Sequence, residues 1–412
     1  MDKKDLQSSE VNERSIPQKL KTLFQPIVSI DDKQVIGFEA FSREVKDGEE
    51  QRGMNINDLF DTEDPAYLYD LDKSCCTKAL YRFRKLLKSW GNISIFININ
   101  VRALGVRCCE EHFISDLVKS GGVPLKNIVI EIASESLDEK NGLEFVEYCR
   151  GQGFQISIDK VEHDSRLLSI LLQVKPDFIK LQRSIWSNPL DTTFNLGNLE
   201  YVVRNCTSVD CVPIALGIES EDEAMHLLQA KINCHQGYFY TRNRSTTSGA
   251  GDSVQGFVQT VELINSKFKQ LQADRIKDRK KHFLDIRTQM KKISSLFIDI
   301  PEIKFKELLK RILRKYEDVV SIFVIDEHGI QVTPRLARNV SKDDLKQRRA
   351  VNTTGADHSM RDYYMHLLLG YDNFVTPPQL SPFTNFPTVI VSLRFFSGLK
   401  SFHLLCVEFP SG

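Results

Sequence analysis

Short β-type runs alternate with amphipathic helical runs between about residues 22 and 240, and this alternation is the feature that most constrains the fold. Helical spacing of apolar residues separates most of the runs. A series of strands with intervening helices favours an α/β fold, and eight strands favour a TIM-type barrel over a shorter open sheet. The eight predicted strands are Thr22–Ile30, Val35–Arg43, Ile93–Asn100, Asn127–Ala133, Phe154–Lys160, Phe178–Gln182, Cys211–Ile218 and His235–Phe239.

The spacing of apolar residues supports the helices between these strands, and one short turn sets the direction of a strand. The turn SIDDKQ between the first two strands predicts a hairpin, so one barrel strand is expected to run antiparallel to the rest. The apolar positions that fall on single helical faces are Leu71, Cys75, Ala79, Phe83, Leu86 and Trp90, then Phe113, Leu117 and Val118, and later Leu167, Ile170 and Leu171.

The rest of the chain divides into three further predicted segments. Residues 1–18 form a polar leader that is expected to be disordered, and residues 19–250 form the barrel. The small polar run TRNRSTTSGAGDSVQG ends the barrel pattern, and residues 251–298 are predicted as a long linker helix. Residues 299–412 are predicted as a small α+β domain, with a helix, the strand-turn-strand VVSIFVIDEHGIQVTPR and a terminal hairpin of TVIVSLRFF and FHLLCVEF.

Lysine and arginine are concentrated at Lys267–Lys292 in the linker helix. A solvated face is the favoured interpretation, and a nucleic-acid or acidic-lipid face is the alternative. Apolar residues spaced by four and three also allow a coiled-coil-like contact between two copies, so a homodimer is predicted.

The bulk composition excludes several classes of protein. The 412 residues carry a formal net charge of +0, which does not indicate a nucleic-acid binder. No run approaches the roughly 18 apolar residues of a membrane helix, so membrane insertion is not expected. The nine cysteines show no zinc-type spacing, and we interpret them as reduced thiols of a cytoplasmic protein.

Polar side chains occur where the predicted barrel strands end. A TIM-type barrel keeps its functional site at the carboxyl ends of its strands. Carboxylate and amide oxygens that converge there suit Mg²⁺ or Mn²⁺, and a lysine among them could serve as a base or a phosphate contact. These positions are Glu39, Asn98, Glu131, Asp159 and Lys180, and later Glu219 and Gln236.

The segment LFQPIVSIDDKQVIGFEAFSRE resembles the opening of EAL domains, the cyclic di-GMP phosphodiesterases. Later landmarks follow in the same order, and the resemblance covers roughly residues 19–245: FININ, VIEIASES, ISIDKVEHDS, FIKLQRS, IALGIES and HQGYFYTRN. The resemblance implies a TIM-type barrel that binds cyclic di-GMP and, in active members of the family, hydrolyses it with divalent metal ions.

The resemblance also implies roles for individual residues. Glu39, Asn98, Glu131 and Asp159 match the ligands of the first metal, and Lys180 matches the lysine near the catalytic water. The implied ligand contacts are Gln25 and Gln236 toward guanine or the ribose-phosphate and Arg43 toward a phosphate. Asp159 and Lys180 are implied as further ligand contacts. Glu219 matches the second glutamate of a Glu-Gly-Val-Glu stretch.

Several positions depart from the family pattern. Lys160 and Gln182 stand where the family has aspartates, and Leu216 replaces a glutamate. Ala133 and Ser134 replace Thr-Glu, and the segment 161–165 lacks Phe-Gly-Thr-Gly. A lysine repels a divalent ion, and two-metal hydrolysis needs carboxylates around both ions.

We therefore expect at most one weakly bound Mg²⁺ or Mn²⁺, no second metal and absent or vestigial hydrolysis, with Lys180 a remnant. An open alternative is that Glu39, Asn98 and Glu131 persist only as structural remnants, satisfied by Lys160 and Lys180.

The carboxy-terminal segment resembles a PAS/Cache sensor domain. The stretch Arg361-Asp-Tyr-Tyr364 matches an Arg-Pro-Tyr-Phe-type motif, whose arginine often reaches a ligand carboxylate, so Arg361 and Tyr363 are candidates for a ligand site. The alternative is a helix-capping arginine with packed tyrosines and no ligand.

Three functional hypotheses follow. The first is a catalytically inactive cyclic di-GMP receptor or regulatory adaptor that signals to an unknown protein partner. The second is a protein-interaction scaffold that has lost the ligand as well. The third is a weak residual phosphodiesterase.

Overall fold

The computed structural model describes residues 20–44, 54–55, 64–101, 122–138, 142–161, 164–187, 192–241, 250–338, 354–384, 386–396 and 402–411. The predicted leader at 1–18 and the helical pattern at Phe113, Leu117 and Val118 lie outside these residues. The chain forms two compact units that divide between Gln270 and Leu271. None of the described helices has the length and apolar character needed to cross a membrane.

The first unit is built on a sheet that closes on itself. Strand β1 pairs antiparallel with both β2 and β9, and the remaining barrel strands pair in parallel. The predicted TIM-type barrel with one antiparallel strand is therefore confirmed. The strands are β1 (Leu20–Ser29), β2 (Gln34–Glu44), the two-residue β3 (Met54–Asn55) that pairs with β2, β4 (Ser94–Asn98), β5 (Ile128–Ala133), β6 (Gln155–Val161), β7 (Phe178–Leu181), β8 (Val212–Leu216) and β9 (Cys234–Gln236).

Helices cover the outside of this barrel. The longest of them, α1, begins where the Asp64 carboxylate accepts the backbone N–H groups of Ala66 and Tyr67, which satisfies donors that a helix start leaves free. It ends at Gly91, whose φ of 77° suits a residue without a side chain. The helices are α1 (Pro65–Trp90), α2 (Gly142–Gly151), α3 (Asp164–Gln173), α4 (Arg183–Trp186), α5 (Thr192–Ser208), α6 (Glu221–Gln229) and α7 (Tyr238–Thr241).

Two layers of apolar side chains lie on opposite sides of the barrel wall. The outer layer packs under the helices, and a smaller inner cluster includes Phe96, Val129 and Ile214. Gly37 makes room for this inner cluster, because a Cβ there would lie 2.8 Å from Cε2 of the Phe96 ring. Since side chains alternate across a strand, the residue two places after each inner residue also lies on the inner side of the barrel.

The second unit has an antiparallel sheet in the order β11-β10-β15-β14-β12, with β13 also paired to β14. The predicted terminal hairpin is confirmed as β14 and β15, whose register runs from Thr388 opposite Pro410 to Phe396 opposite Phe402. The strands are β10 (Ser321–Ile325), β11 (Leu336–Ala337), β12 (Asn373–Val375), β13 (Gln379–Leu380), β14 (Pro387–Phe396) and β15 (Phe402–Pro410).

A long helix, α8 (Ala250–Ser295), contributes to the cores of both units. Its early residues Phe257, Val261 and Ile264 are buried in the first core, and Ile286 and Met290 are buried in the second. Residues 273–281 between them are exposed on all sides, which agrees with a solvated face for the basic run. The other helices of the second unit are α9 (Phe305–Lys315) and α10 (Asp362–Leu368), and the predicted domain limits at residues 250 and 298 stay predictions.

Candidate functional site

The inner side of the barrel changes from apolar to polar at the carboxyl ends of its strands. In β4, β5, β7 and β9, the last inward residue follows an apolar inward residue by two places. The pairs are Phe96 with Asn98, Val129 with Glu131, Phe178 with Lys180, and Cys234 with Gln236. The strand period therefore gathers the predicted polar residues above an apolar floor.

The ammonium group of Lys180 lies at the centre of this site. Its Nζ is 2.7 Å from Oε2 of Glu39 and 2.6 Å from Oε1 of Glu131. The Lys180 side chain is 1% exposed and that of Glu131 is fully buried, so this is a buried ion pair with two carboxylates. The Phe96 ring lies beneath, with its centroid 5.6 Å from Nζ. A cation thus holds together strands β2, β5 and β7.

Amide side chains complete the network around Glu39. The Nε2 of Gln236 donates to Oε2 of Glu39 at 2.6 Å and to Oε1 of Gln25 at 3.1 Å. The Nδ2 of Asn98 donates to the other oxygen of Glu39 at 3.1 Å. The structure therefore brings together Gln25, Glu39, Asn98 and Gln236 with Lys180, all of which the sequence had predicted to share one site.

The pKa values reflect burial and close opposite charges. Burial by itself lowers the pKa of Lys180, but the carboxylates of Glu131, Glu39 and Asp159 outweigh it and raise the pKa, so the ammonium stays charged. Burial raises the pKa of Glu131 well above its usual value, and it also raises the pKa of Asp159. For Glu39, burial acts in the same direction, but Lys180 and the donated hydrogen bonds bring its pKa below the usual value.

Three buried oxygen atoms of the site have no hydrogen-bond partner among the residues that the structure describes: Oε2 of Glu131, Oδ1 of Asp159 and Oε1 of Gln236. Buried acceptors are normally satisfied, so these atoms are candidates for contacts with a bound cation or ligand. No three acidic, histidine or cysteine side chains in the described ranges are grouped closely enough to hold a metal ion as they stand. The donor chemistry, hard oxygens on Glu131, Asp159, Glu39 and Asn98, nevertheless fits a single divalent cation.

The residues that depart from the family pattern take no part in the hydrogen bonds and ion pairs described above for Lys180 and Glu39. Lys160 has a φ of 57°, in the left-handed region, and its carbonyl accepts a hydrogen bond from the Ser134 hydroxyl at 2.9 Å. Its side chain is exposed and pairs with none of the acidic residues that the structure describes. Gln182 precedes α4 without capping it, and Leu216 packs against the apolar interior of the barrel. The cation that forms ion pairs with Glu39 and Glu131 is therefore Lys180, and not Lys160.

Two other predicted contacts stand apart from the carboxylate network. Arg43 is exposed near the end of β2, with its guanidinium 6.0 Å from the centroid of the Phe41 ring. Glu219 has a side chain that is 68% exposed and lies 3.4 Å from Arg183. Arg43 is thus available to an incoming anion, whereas Glu219 belongs to an ion-pair group with Arg183.

Sequence reasoning missed several residues that shape this site. The hydroxyl of Ser157 donates to Glu131 at 3.4 Å, and Phe96 forms the floor below Lys180. Both could have been found from the strand period, because each lies two residues before a predicted site residue. Arg183 and its partner Glu223 are 40 residues apart, and no local sequence signal links them.

The sensor candidates of the second unit lie in different environments. Arg361 is exposed at the start of α10, and its side chain makes no capping hydrogen bond there. Tyr363 is buried, with its hydroxyl 2.6 Å from Nδ1 of His358. A buried ion pair that the sequence did not indicate, between Arg335 and Glu408 at 2.8 Å, lies in the same unit.

Comparison with known proteins identifies relatives of the first unit. A family model described as "EAL domain" matches residues 9–243. The chain is 26% identical over 228 residues to the probable cyclic di-GMP phosphodiesterase PdeI of Escherichia coli (strain K12), which covers 53% of this chain and 28% of that protein. It is also 26% identical over 164 residues to the uncharacterized EAL-domain containing protein YkuI of Bacillus subtilis (strain 168), which covers 38% of this chain and 39% of that protein.

A solved structure extends the likeness in fold to the second unit. The crystal structure of Bacillus subtilis YkuI, with an EAL domain and in complex with cyclic di-GMP and calcium, has a TM-score of 0.75 and 16% sequence identity. The match covers 95% of this chain and 96% of that chain, and at this identity it shows the fold alone. Since the family model covers more than half of the residues, the chain belongs to the EAL domain family.

Proposed function

We propose that this chain is a cyclic di-GMP signalling protein whose barrel binds the dinucleotide without hydrolysing it, as a receptor or regulatory adaptor. Membership of the EAL family supports the choice of ligand. The YkuI structure, which is described as a complex with cyclic di-GMP and calcium, supports it further. The gathered polar side chains at the open end of the barrel are the groups that would meet such a ligand.

One observation carries the proposal that hydrolysis is absent: of the three carboxylates gathered at the described strand ends, those of Glu39 and Glu131 share the Lys180 ammonium, which leaves only Asp159 outside this ion pair. Two-metal hydrolysis needs a pair of cations about 3.5–4 Å apart, and each is held by acidic side chains. The three positions that would serve the second cation hold Lys160, Gln182 and Leu216. An ammonium, an amide and an isobutyl group supply no anionic ligand to a second divalent ion.

Binding of the dinucleotide requires fewer groups than its hydrolysis. The amides of Gln25 and Gln236 offer both donors and acceptors to a guanine edge, and the Gln236 Oε1 atom has no partner within the described part of the chain. The exposed guanidinium of Arg43 suits a phosphate, because charge-assisted hydrogen bonds to phosphate are strong without a metal. We therefore assign base contacts to the two glutamines and a phosphate contact to Arg43.

A single Mg²⁺ or Mn²⁺ would be held by Glu39, Asn98, Glu131 and Asp159. Such an ion would supply Lewis-acid chemistry at these oxygens. In this chain it competes with Lys180 for the same two carboxylates, whose ion pairs would have to lengthen. This competition supports weak cation binding, and cyclic di-GMP is expected to bind with or without the ion.

Calorimetric titration of the full chain with cyclic di-GMP, with and without Mg²⁺, tests the binding proposal. We expect a Kd below about 100 µM in both conditions, and at least a tenfold loss in Arg43→Ala. The matched control is Lys267→Gln, which removes a surface ion pair with Glu221 on helix α6. Silence in both titrations would refute the receptor and favour a protein-interaction scaffold.

Hydrolysis is tested in the same samples by chromatography after long incubation with excess enzyme and Mn²⁺. We expect no linear dinucleotide. Product that forms in the wild type and disappears in Glu39→Ala would instead assign a residual phosphodiesterase. The single change Lys160→Asp should not create turnover, since Gln182 and Leu216 remain; full activity from it would contradict our account of the second cation.

The roles of the other parts of the chain stay predictions. They are a ligand for the second unit through Arg361 and Tyr363, a PAS/Cache-like fold for that unit, a homodimer, an unknown protein partner and a cytoplasmic location. The exposed position of Arg361 at the start of α10 leaves it accessible to a small anion.

A further inference from the structure

Arg183 connects several points of the loop that follows β8. It is the first residue of α4 and lies three positions after Lys180 in the chain. One guanidinium nitrogen donates to the Gly217 carbonyl at 2.8 Å, and the other forms a close ion pair with Glu223. Glu219 lies 3.4 Å from the same group. One side chain from β7–α4 therefore holds the turn between β8 and α6.

The partners of Arg183 fix the backbone of that turn. The second oxygen of Glu223 accepts the backbone N–H of Glu219 at 2.8 Å. The Ser220 hydroxyl caps α6 by accepting the N–H of Glu223 at 3.3 Å. Gly217 has a φ of 75°, which a residue with a side chain rarely adopts. We call residues 217–220 the β8 turn.

The β8 turn presses directly against the end of β9. A Cβ on Gly237 would lie 2.2 Å from the Ile218 carbonyl oxygen and 2.3 Å from the Ile218 nitrogen, so only glycine permits this approach. The N–H of Ile218 donates to the Gln236 carbonyl at 3.3 Å, and the N–H of Phe239 donates to the Ile218 carbonyl at 2.9 Å. The backbone on both sides of Gln236 is thus braced by Ile218.

We propose that Arg183 is a positioning residue for Gln236. Arg183 holds the β8 turn, the turn braces the backbone at Gln236, and Gln236 then presents its amide to Glu39 and Gln25. The effect on ligand affinity rests on the proposed function, whereas the effect on the backbone does not. Because the Arg183 side chain is 39% exposed, its ion pairs add little stability by themselves, and its role is geometric.

Hydrogen exchange of the ligand-free full chain tests the mechanical part. Arg183→Gln should speed exchange of the Ile218 and Phe239 amides by at least about tenfold, because the turn loses its anchor. Arg183→Lys, which keeps the charge but not the forked donors, should give an intermediate rate. The control Lys267→Gln removes the ion pair with Glu221 and should leave both amides unchanged. Unchanged rates in Arg183→Gln would overturn the proposal whether or not a ligand binds.

Titration with cyclic di-GMP tests the consequence for the site. Arg183→Gln should raise the Kd by roughly tenfold. In a Gln236→Ala background it should raise the Kd no further, since both changes remove the same contact, that of the Gln236 amide with the ligand. If the two effects multiply, Arg183 acts by a different route and the positioning role is wrong. If exchange is faster in Arg183→Gln but the wild type binds no cyclic di-GMP, the positioning role of Arg183 stands and the proposed receptor function is refuted.

Discussion

Replacement of Lys180 by methionine is the most direct test of the buried network, because the change keeps most of the volume and removes the charge together with its hydrogen-bond donors. The ammonium is 2.6 Å from one buried carboxylate and 2.7 Å from another. At an effective dielectric of about 20, one such contact attracts by roughly 6 kcal/mol before desolvation is counted. Removal of one partner from a buried pair typically costs about 3–5 kcal/mol, and we expect a loss in that range.

Urea unfolding followed by tryptophan fluorescence measures this loss in the first unit alone. Both tryptophans of the chain, Trp90 and Trp186, lie in that unit. The double variant Lys180→Met/Glu131→Gln should recover much of the loss, since it also removes the carboxylate left without a counter-ion. In Lys180→Met alone, Mn²⁺ should stabilise the protein more than it stabilises the wild type, because the ammonium no longer competes for Glu39 and Glu131.

A loss below about 1 kcal/mol, the range of a solvent-exposed ion pair, would refute this account of Lys180. A double variant that is less stable than Lys180→Met would refute it as well. Equal stabilisation by Mn²⁺ in the wild type and in Lys180→Met would show that the ammonium and the cation do not share a position.

Three further predictions concern other buried contacts. Burial lowers the pKa of His235 to about 4, below its value in the unfolded chain, so the unfolded state takes up the proton first as the pH falls below about 6.5. The stability that His235 contributes should therefore fall by roughly 2 kcal/mol between pH 7 and pH 5, measured as the change in the difference in urea unfolding between the wild type and His235→Gln. Gly237→Ala should destabilise the first unit and weaken dinucleotide binding, because the new Cβ would collide with the backbone of Ile218. The control Gly197→Ala places its Cβ where nothing lies within 4 Å, so it should stabilise helix α5 by about 0.5–1 kcal/mol in the same assay. In the second unit, Arg335→Met should lower the free energy of unfolding by about 3–5 kcal/mol, measured by urea unfolding followed by far-ultraviolet circular dichroism. The double variant Arg335→Met/Glu408→Gln should recover part of this loss. Equal stability of the wild type and Arg335→Met would show that the 2.8 Å ion pair is not formed in solution.

The sequence was sufficient for the barrel because strand and helix periods are local properties. Each of the eight predicted barrel strands is present, and the short turn after β1 makes that strand antiparallel, as expected. The predicted site residues Glu39, Asn98, Glu131 and Lys180 also converge, since their strands end at the same edge of one closed sheet. Local patterning and the order of the strands were enough for this result.

Local patterns in the sequence do not show which charged side chains pair with one another. From the sequence, Lys160 and Lys180 were both able to neutralise the carboxylates, because Lys160 directly follows Asp159. The fold distinguishes the two lysines: Lys160 has left-handed backbone geometry and an exposed side chain, whereas Lys180 is directed inward beside Phe96. Sequence proximity therefore gave no guide to the ion pair.

Local sequence patterns were enough to predict the type of barrel, the strand ends that carry polar groups and the lack of a carboxylate at each of residues 160, 182 and 216. The three-dimensional fold was needed to show that Lys180 bridges Glu39 and Glu131, and that Arg183 reaches Glu223. The difference arises because periodicity acts over a few residues, whereas Lys180 and Glu39 are 141 residues apart. Such a pair exists only when closure of the barrel brings both side chains into one buried volume.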